Sequence, residues 1–361
     1  MKPTLIIALL IFGFPNLFSQ NNPSPFIGTN LARGNNLRVL RLAVSCNGEF
    51  TQSVTGANDQ EKVAEVIRQM KEWLKPINDI YGREYCVRFE LIPDNLLASI
   101  IFTDPATDPW PDMSGSGCDG NANILDIQAT TIDGIVGAGN YDFSHVILSN
   151  SFNGGCAGGF KTGYSGGFDL PVTRHEMGHQ FSQDHTINND GNNNFEPENA
   201  GRSIQGGNTD PYAHSRSYHE LALHLSTTEA GTGTDVPTGN NIPTVDAGPD
   251  RTIPASTPFR LEGMATDPDA GDLITYVWDQ LDGGVAQDLP TANDTEGALF
   301  SRMVPAVQSY REYPKLSRVL DHDFATEEED LPTQSRDLNF RLTVNDNHKF
   351  NYNGQLINAS G

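Results

Sequence analysis

The chain has 361 residues, 46 acidic against 23 basic, and a formal net charge of −23. A surface this acidic repels nucleic-acid phosphates and anionic membranes, and no basic patch offsets it, so nucleic-acid binding is excluded. The length suits two domains and is enough to bury a proper core.

Met1 to about Ser19 reads as an export signal: Lys2 is the charged start, Leu5 to Phe14 a short apolar run, and small or polar residues follow. That run is too short for an ordinary membrane span, and no later stretch is apolar enough for one, so a secreted mature protein without a transmembrane segment is expected. Residues 20–36 form a short N-terminal segment. The four cysteines, Cys46, Cys86, Cys118 and Cys156, make two disulfides the expectation for an exported chain. Three pairings are open; Cys46 and Cys86 both fall in strand-like runs, which favours Cys46 with Cys86 and Cys118 with Cys156. No CxxC spacing occurs, which argues against a cysteine zinc site.

Leu37 to Ser45 (LRVLRLAVS) alternates as a strand. Asn58 or Asp59 caps the helix that follows, whose apolar stripe is Val63, Val66, Ile67, Met70 and Leu74, and Pro76 bends or ends it. Val87 to Ile92 and Leu97 to Phe102 read as further strands, Ile124 to Val136 as a second helix, and Phe143 to Leu148 as a returning strand. Strand and helix alternation indicates an α/β layer. The Gly-rich stretch Asn153 to Gly167 has Phe160 before Lys161 and forms no GK[ST], so it is no phosphate loop. It reads either as the rim of a cleft, where an extended peptide could pair with backbone groups, or as a flexible connector.

His175 to His185 (HEMGHQFSQDH) places three imidazoles and a carboxylate at spacings suited to a catalytic zinc ion. On a helix of about 3.6 residues per turn, His175 and His179 share one face and Glu176 points beside them. A catalytic zinc takes three protein ligands and keeps a fourth position for water. His185 supplies the third only if the helix ends soon after His179 and the chain doubles back. At this composition the full pattern arises by chance on the order of a few times in ten thousand. The expected centre is one zinc ion on His175, His179 and His185, lowering the pKa of its water to roughly 7, with Glu176 as general base.

These eleven residues resemble the extended HExxHxxGxxH signature of the metzincin zinc peptidases, and among them the reprolysin-like secreted bacterial enzymes. The resemblance implies a catalytic domain over residues 37–225, an α/β fold with a twisted mixed sheet over the active-site helix. It implies a zinc metalloendopeptidase, a hydrolase of the EC 3.4.24 class, acting on proteins or peptides. Two positions depart from the pattern. Ser182 stands where the family has glycine, and a non-glycine residue there carries a left-handed backbone at a cost of about 1 kcal/mol. Gln205 aligns with the methionine of the Met-turn, a packing floor beneath the metal.

Asp190, Asn192, Asn194 and Glu196 alternate like calcium ligands without EF-hand spacing, so residues 188–199 read as a calcium loop or a plain turn-rich loop. Pro211 to Leu225 reads as a closing helix, with His214, His219 and His224 spread around it as structural or exposed residues. His145, His322 and His348 get the same reading. Residues 226–241 are Gly-, Thr- and Pro-rich and read as a linker. Residues 242–361 carry short alternating segments between turn signals, the pattern of an all-β immunoglobulin-like sandwich, and resemble PKD or REJ modules. Trp278 is its expected core aromatic. Asp267, Asp269 and Asp272 form either a calcium site at the sheet edge or an ordinary Asp-rich turn. Two rival readings stand beside the peptidase: a catalytically impaired relative whose sandwich acts as an adhesin or a glycan- or protein-binding module, and a zinc hydrolase acting on something other than protein.

Overall fold

The computed structural model describes residues 4–9, 32–110, 123–149, 154–187, 194–197, 201–206, 210–284, 295–321, 329 and 331–359. The chain divides into two compact units, one of residues 36–183 with 223–238, the other of residues 1–35, 184–222 and 239–361. The first strand, β1 (Thr4–Leu9), belongs to the second unit.

The first unit is a mixed sheet with helices. Its strands are β2 (Asn36–Cys46), β3 (Val87–Leu91), β4 (Phe143–Leu148), β5 (Gly155–Gly159), β6 (Thr162–Gly166) and β7 (Thr234–Pro237). Their order is β3-β2-β4-β6-β5, with β7 also paired to β2. β2, β3, β4 and β6 run parallel, while β5 and β7 are antiparallel to their neighbours. β2 and β4 lie inside the sheet and are almost wholly buried, which explains their near-continuous apolar runs. The stretch 226–241, read as a linker, thus contains β7, whose Asp235 pairs with Arg38 at 2.6 Å.

The helices of this unit are α1 (Gly48–Ser53), α2 (Asp59–Tyr85), α3 (Asp94–Ser99), α4 (Asn123–Val136) and α5 (Leu170–Gln180). Asn58 caps α2, its side chain accepting from the Glu61 amide at 3.0 Å. α2 runs through Pro76 and does not end there. An interior proline costs roughly 3 kcal/mol. Beyond it Ile77, Ile80, Tyr81 and Tyr85 are all buried, each worth about 1.5–3 kcal/mol, so core packing outweighs the break. The first half of the expected strand at Leu97 to Phe102 is instead the end of α3, and the second half carries a single bridge from Ile101 to Cys46. Pro93 sits at the N-cap with Asp94 in the first turn, a helix start that the apolar run conceals.

Cys46 and Cys86 are both buried and neither is in a disulfide, so the expected Cys46–Cys86 bridge is not formed. The register gives the reason: Arg38 pairs with Val87, so Cys86 lies beside the start of β2 and Cys46 at its far end. Nine residues of strand separate those ends by about 30 Å, against the 7 Å or less between Cα atoms that a disulfide needs. Cys118 lies outside the described residues.

The second unit is β-rich. One sheet has the order β12-β14-β1-β9, from β12 (Thr275–Gln280), β14 (Asp337–Asn345), β1 and β9 (Arg251–Pro254). Three pairs accompany it: β8 (Thr244–Asp246) with β11 (Met264–Thr266), β10 (Phe259–Glu262) with β13 (Tyr310–Tyr313), and β15 (Lys349–Tyr352) with β16 (Gln355–Asn358). A short helix, α7 (Leu316–Asp321), follows β13. Trp278 packs in the core with Leu261, Phe300, Tyr313, Phe340 and Leu342. The closing helix appears as α6 (Ser215–Ser226). Residues 4–9, part of the expected export signal, run as β1 between β14 and β9. Among the described residues no helix is long and apolar enough to cross a membrane.

Candidate metal centre and the contacts that hold it

α5 begins at Asp169, whose side chain accepts from the Val172 amide at 3.0 Å, with Pro171 in the first turn. It ends at Phe181, and Ser182 takes the left-handed conformation with φ 62°. The Ser182 amide donates to His179 O at 2.8 Å and the Gln183 amide to Gly178 O at 3.2 Å, the paired bonds of a Schellman turn. Ser182 therefore does what the family's glycine does. Its Oγ also lies 3.0 Å from Nδ1 of His224 on α6, a ring packed against Phe160 and Phe181.

The reversal brings His175, His179 and His185 together, with ligand atoms all within 4.8 Å of one another. Nε2 of His175 and Nε2 of His179 are 3.0 Å apart, near the roughly 3.3 Å edge of a tetrahedral site with bonds of about 2.0–2.1 Å. Nδ1 of His179 sits 2.6 Å from the Gln183 carbonyl oxygen. A carbonyl only accepts, so that nitrogen carries the proton and Nε2 keeps its lone pair for a metal. Three imidazole nitrogens so arranged fit zinc.

Glu176 is 8 % exposed, and burial pushes its carboxyl up to about 8. The glycines of the β5–β6 hairpin make room for α5. A Cβ on Gly155 would lie 2.4 Å from Glu176 Cγ, and one on Gly163 2.5 Å from Gln180 Cδ. The Gly-rich stretch is thus neither phosphate loop nor plain connector over 155–166, but an edge hairpin shaped to the helix.

Under α5 lies a polar network that the sequence reading missed. His145, in the middle of β4, has Nδ1 2.9 Å from Gln180 Oε1 and Nε2 3.0 Å from Ser165 Oγ, which lies 3.1 Å from Thr173 Oγ1. Gln180 Nε2 also donates to Ser144 O at 2.8 Å and Phe160 O at 3.2 Å. Burial lowers the His145 pKa to about 4, so it stays neutral. A histidine inside the otherwise apolar FSHVIL, and a glutamine directly after His179, were the available signals.

Beyond His185 the chain is tied down by Arg216, Glu220 and the turn at 203–206. The Thr186 amide donates to Gln205 O at 2.9 Å, and Gln205 is fully buried. Glu196 accepts from Thr186 Oγ1, Ser203 Oγ and the Arg202 amide at 2.5–2.9 Å, so its oxygens serve the protein rather than calcium. Asn194 donates to Gly284 O, and Asp190 and Asn192 lie outside the described residues. A second cluster joins Asp269, Asp272 and His348 within 4.8 Å. There His348, read from the sequence as structural or exposed, pairs with Asp272 at 2.7 Å, and Asp267 Oδ1 accepts from the Asp269 amide. His214 is buried with Nδ1 accepting from the Arg216 amide, and His322 is outside the described residues.

A helix that carries two histidines and a buried glutamate, with a third histidine after a tight reversal, defines a metallopeptidase type of centre. Residues 67–186 match the family model described as metallo-peptidase family M12B, reprolysin-like, a segment that contains α5 and all three histidines. The match supports a reprolysin-like zinc metallopeptidase, a hydrolase whose substrates are proteins or peptides. No curated protein matches the chain.

Proposed function

We propose that the chain is an exported zinc metalloendopeptidase that hydrolyses internal peptide bonds. The observation that carries the reading is the convergence of His175, His179 and His185 next to the buried carboxyl of Glu176. Zinc held by the three histidines would polarise the scissile carbonyl and lower the pKa of the attacking water. Glu176 would take the proton from that water on its carboxylate and return it to the leaving amine. β5 is the outer strand of its sheet, and an extended substrate can add to it as one more strand. Export rests on the pattern of Met1 to Ser19, and a Cys118–Cys156 disulfide would accompany it.

Metal analysis of the purified protein together with a casein cleavage assay tests this. We expect one zinc per chain, cleavage abolished by a chelator, and Glu176→Gln retaining zinc while turnover falls by about 100-fold or more. Full turnover in that variant would remove Glu176 from the role of base. A protein that holds zinc but cleaves only non-peptide substrates would be a different hydrolase. One that holds no zinc and cleaves nothing would turn the reading to a binding module.

A further inference from the structure

We infer that Arg216 is a positioning residue for the third metal ligand, His185; the inference rests on the zinc reading of the site. Arg216 is 2 % exposed. Nη1 donates to the backbone carbonyl of His185 at 3.0 Å, Nη2 pairs with Asp184 Oδ2 at 2.7 Å, and Nε pairs with Glu220 Oε1 at 2.7 Å. The Phe195 ring lies beneath, 4.6 Å from the guanidinium carbon. The other oxygen of Glu220 accepts from the Asp184 amide at 3.1 Å.

The two peptide groups on either side of residues 184 and 185 are therefore both fixed from α6, the amide by Glu220 and the carbonyl by Arg216. His185 reaches the metal from a segment with no helix or strand of its own, so its backbone needs an outside support that His175 and His179 draw from α5. Only a planar fork can serve one carbonyl and two carboxylates at once. A lysine ammonium keeps the charge but not that geometry. Groups that orient a metal ligand in this way are commonly worth 10- to 100-fold in metal affinity.

The test measures zinc affinity of the full chain by competition with a chromophoric chelator, and the visible absorption of the cobalt-substituted protein. We expect R216K to keep the wild-type circular dichroism, to weaken zinc by 10- to 100-fold, and to change the cobalt spectrum, because His185 no longer holds its place. A zinc dissociation constant within twofold of wild type, with an unchanged cobalt spectrum, would overturn the role of Arg216 and leave the zinc reading intact. Wild-type protein that binds neither metal would overturn both. Should R216K fail to fold, E220Q decides by the same readouts: a loss of threefold or more in zinc affinity supports the inference, and a smaller one overturns it.

Discussion

His175 and His179 are held by a different kind of chemistry from His185. The helix that bears the first two is fastened through neutral groups: His145, Gln180, Ser165 and Thr173, with backbone carbonyls of the sheet as acceptors. The segment that bears the third is fastened around a permanent charge, Arg216 between Asp184 and Glu220, whose carboxyl burial pushes up to about 7 against the pull of the guanidinium. A neutral network loses directional bonds when it is cut. A buried ion pair leaves a charge behind, which is far more costly than the pair was worth. The two halves should therefore fail in different ways.

The largest effect is expected on the ionic side. Glu220→Ala leaves the buried guanidinium of Arg216 with the exposed Asp184 as its carboxylate partner, and urea unfolding should report a loss of about 3–5 kcal/mol. Replacing both partners by apolar residues, Arg216→Met with Glu220→Leu, should cost much less, because no charge is stranded. If the double variant is as unstable as Glu220→Ala, a stranded charge is not the source of the loss.

On the neutral side the signature is acid lability. His145 titrates near 4 in the folded chain because it is buried, against about 6.5 when unfolded. Above pH 6.5 both forms are neutral and His145 adds no pH dependence. Between 6.5 and 4 the unfolded chain takes up a proton that the folded one refuses, so stability falls as the pH falls, by roughly 3 kcal/mol in all. His145→Gln should flatten that part of the stability profile relative to wild type. An unchanged slope in the variant would assign the acid lability elsewhere.

Gly155→Ala comes next. Its new Cβ would sit 2.4 Å from Glu176 Cγ in a closely packed place, which should cost about 1–3 kcal/mol and lower turnover by moving the proposed base. Turnover equal to wild type would show that Glu176 has more freedom than the packing suggests.

The two halves also differed in how much could be read beforehand. Local patterns carried the first half: the apolar run of β2, the stripe of α2, and the spacing that puts His175 and His179 on one face. What escaped were choices made by tertiary packing. Pro76 was overruled by four buried residues beyond it, the apolar run after Pro93 became α3, and the unbridged state of Cys46 and Cys86 followed from a parallel register that spacing alone does not reveal. Around the third ligand, the i, i+4 spacing of Arg216 and Glu220 was visible as a helical pair. Its target was not, because nothing local says which loop a helix will clamp. Single polar residues in apolar surroundings, such as His145, were the most informative signs left unused.

Ser182 joins the two kinds of evidence, since the sequence marks it as a departure and the structure supplies what compensates for it. The left-handed backbone at φ 62° disfavours serine by about 1 kcal/mol relative to glycine, while the bond to His224 Nδ1 at 3.0 Å returns about 0.5–1.5 kcal/mol. Ser182→Gly removes the strain and the bond together, and adds unfolded-state freedom, so its net effect on the urea midpoint should be small. Ser182→Ala keeps the strain and loses the bond, so it should be less stable than wild type by about 1 kcal/mol. With His224→Phe in place, which keeps a ring against Phe160 and Phe181, the alanine penalty should vanish, because the partner is already gone. If Ser182→Ala is equally destabilising in both backgrounds, the hydrogen bond is not what makes serine tolerable at this turn.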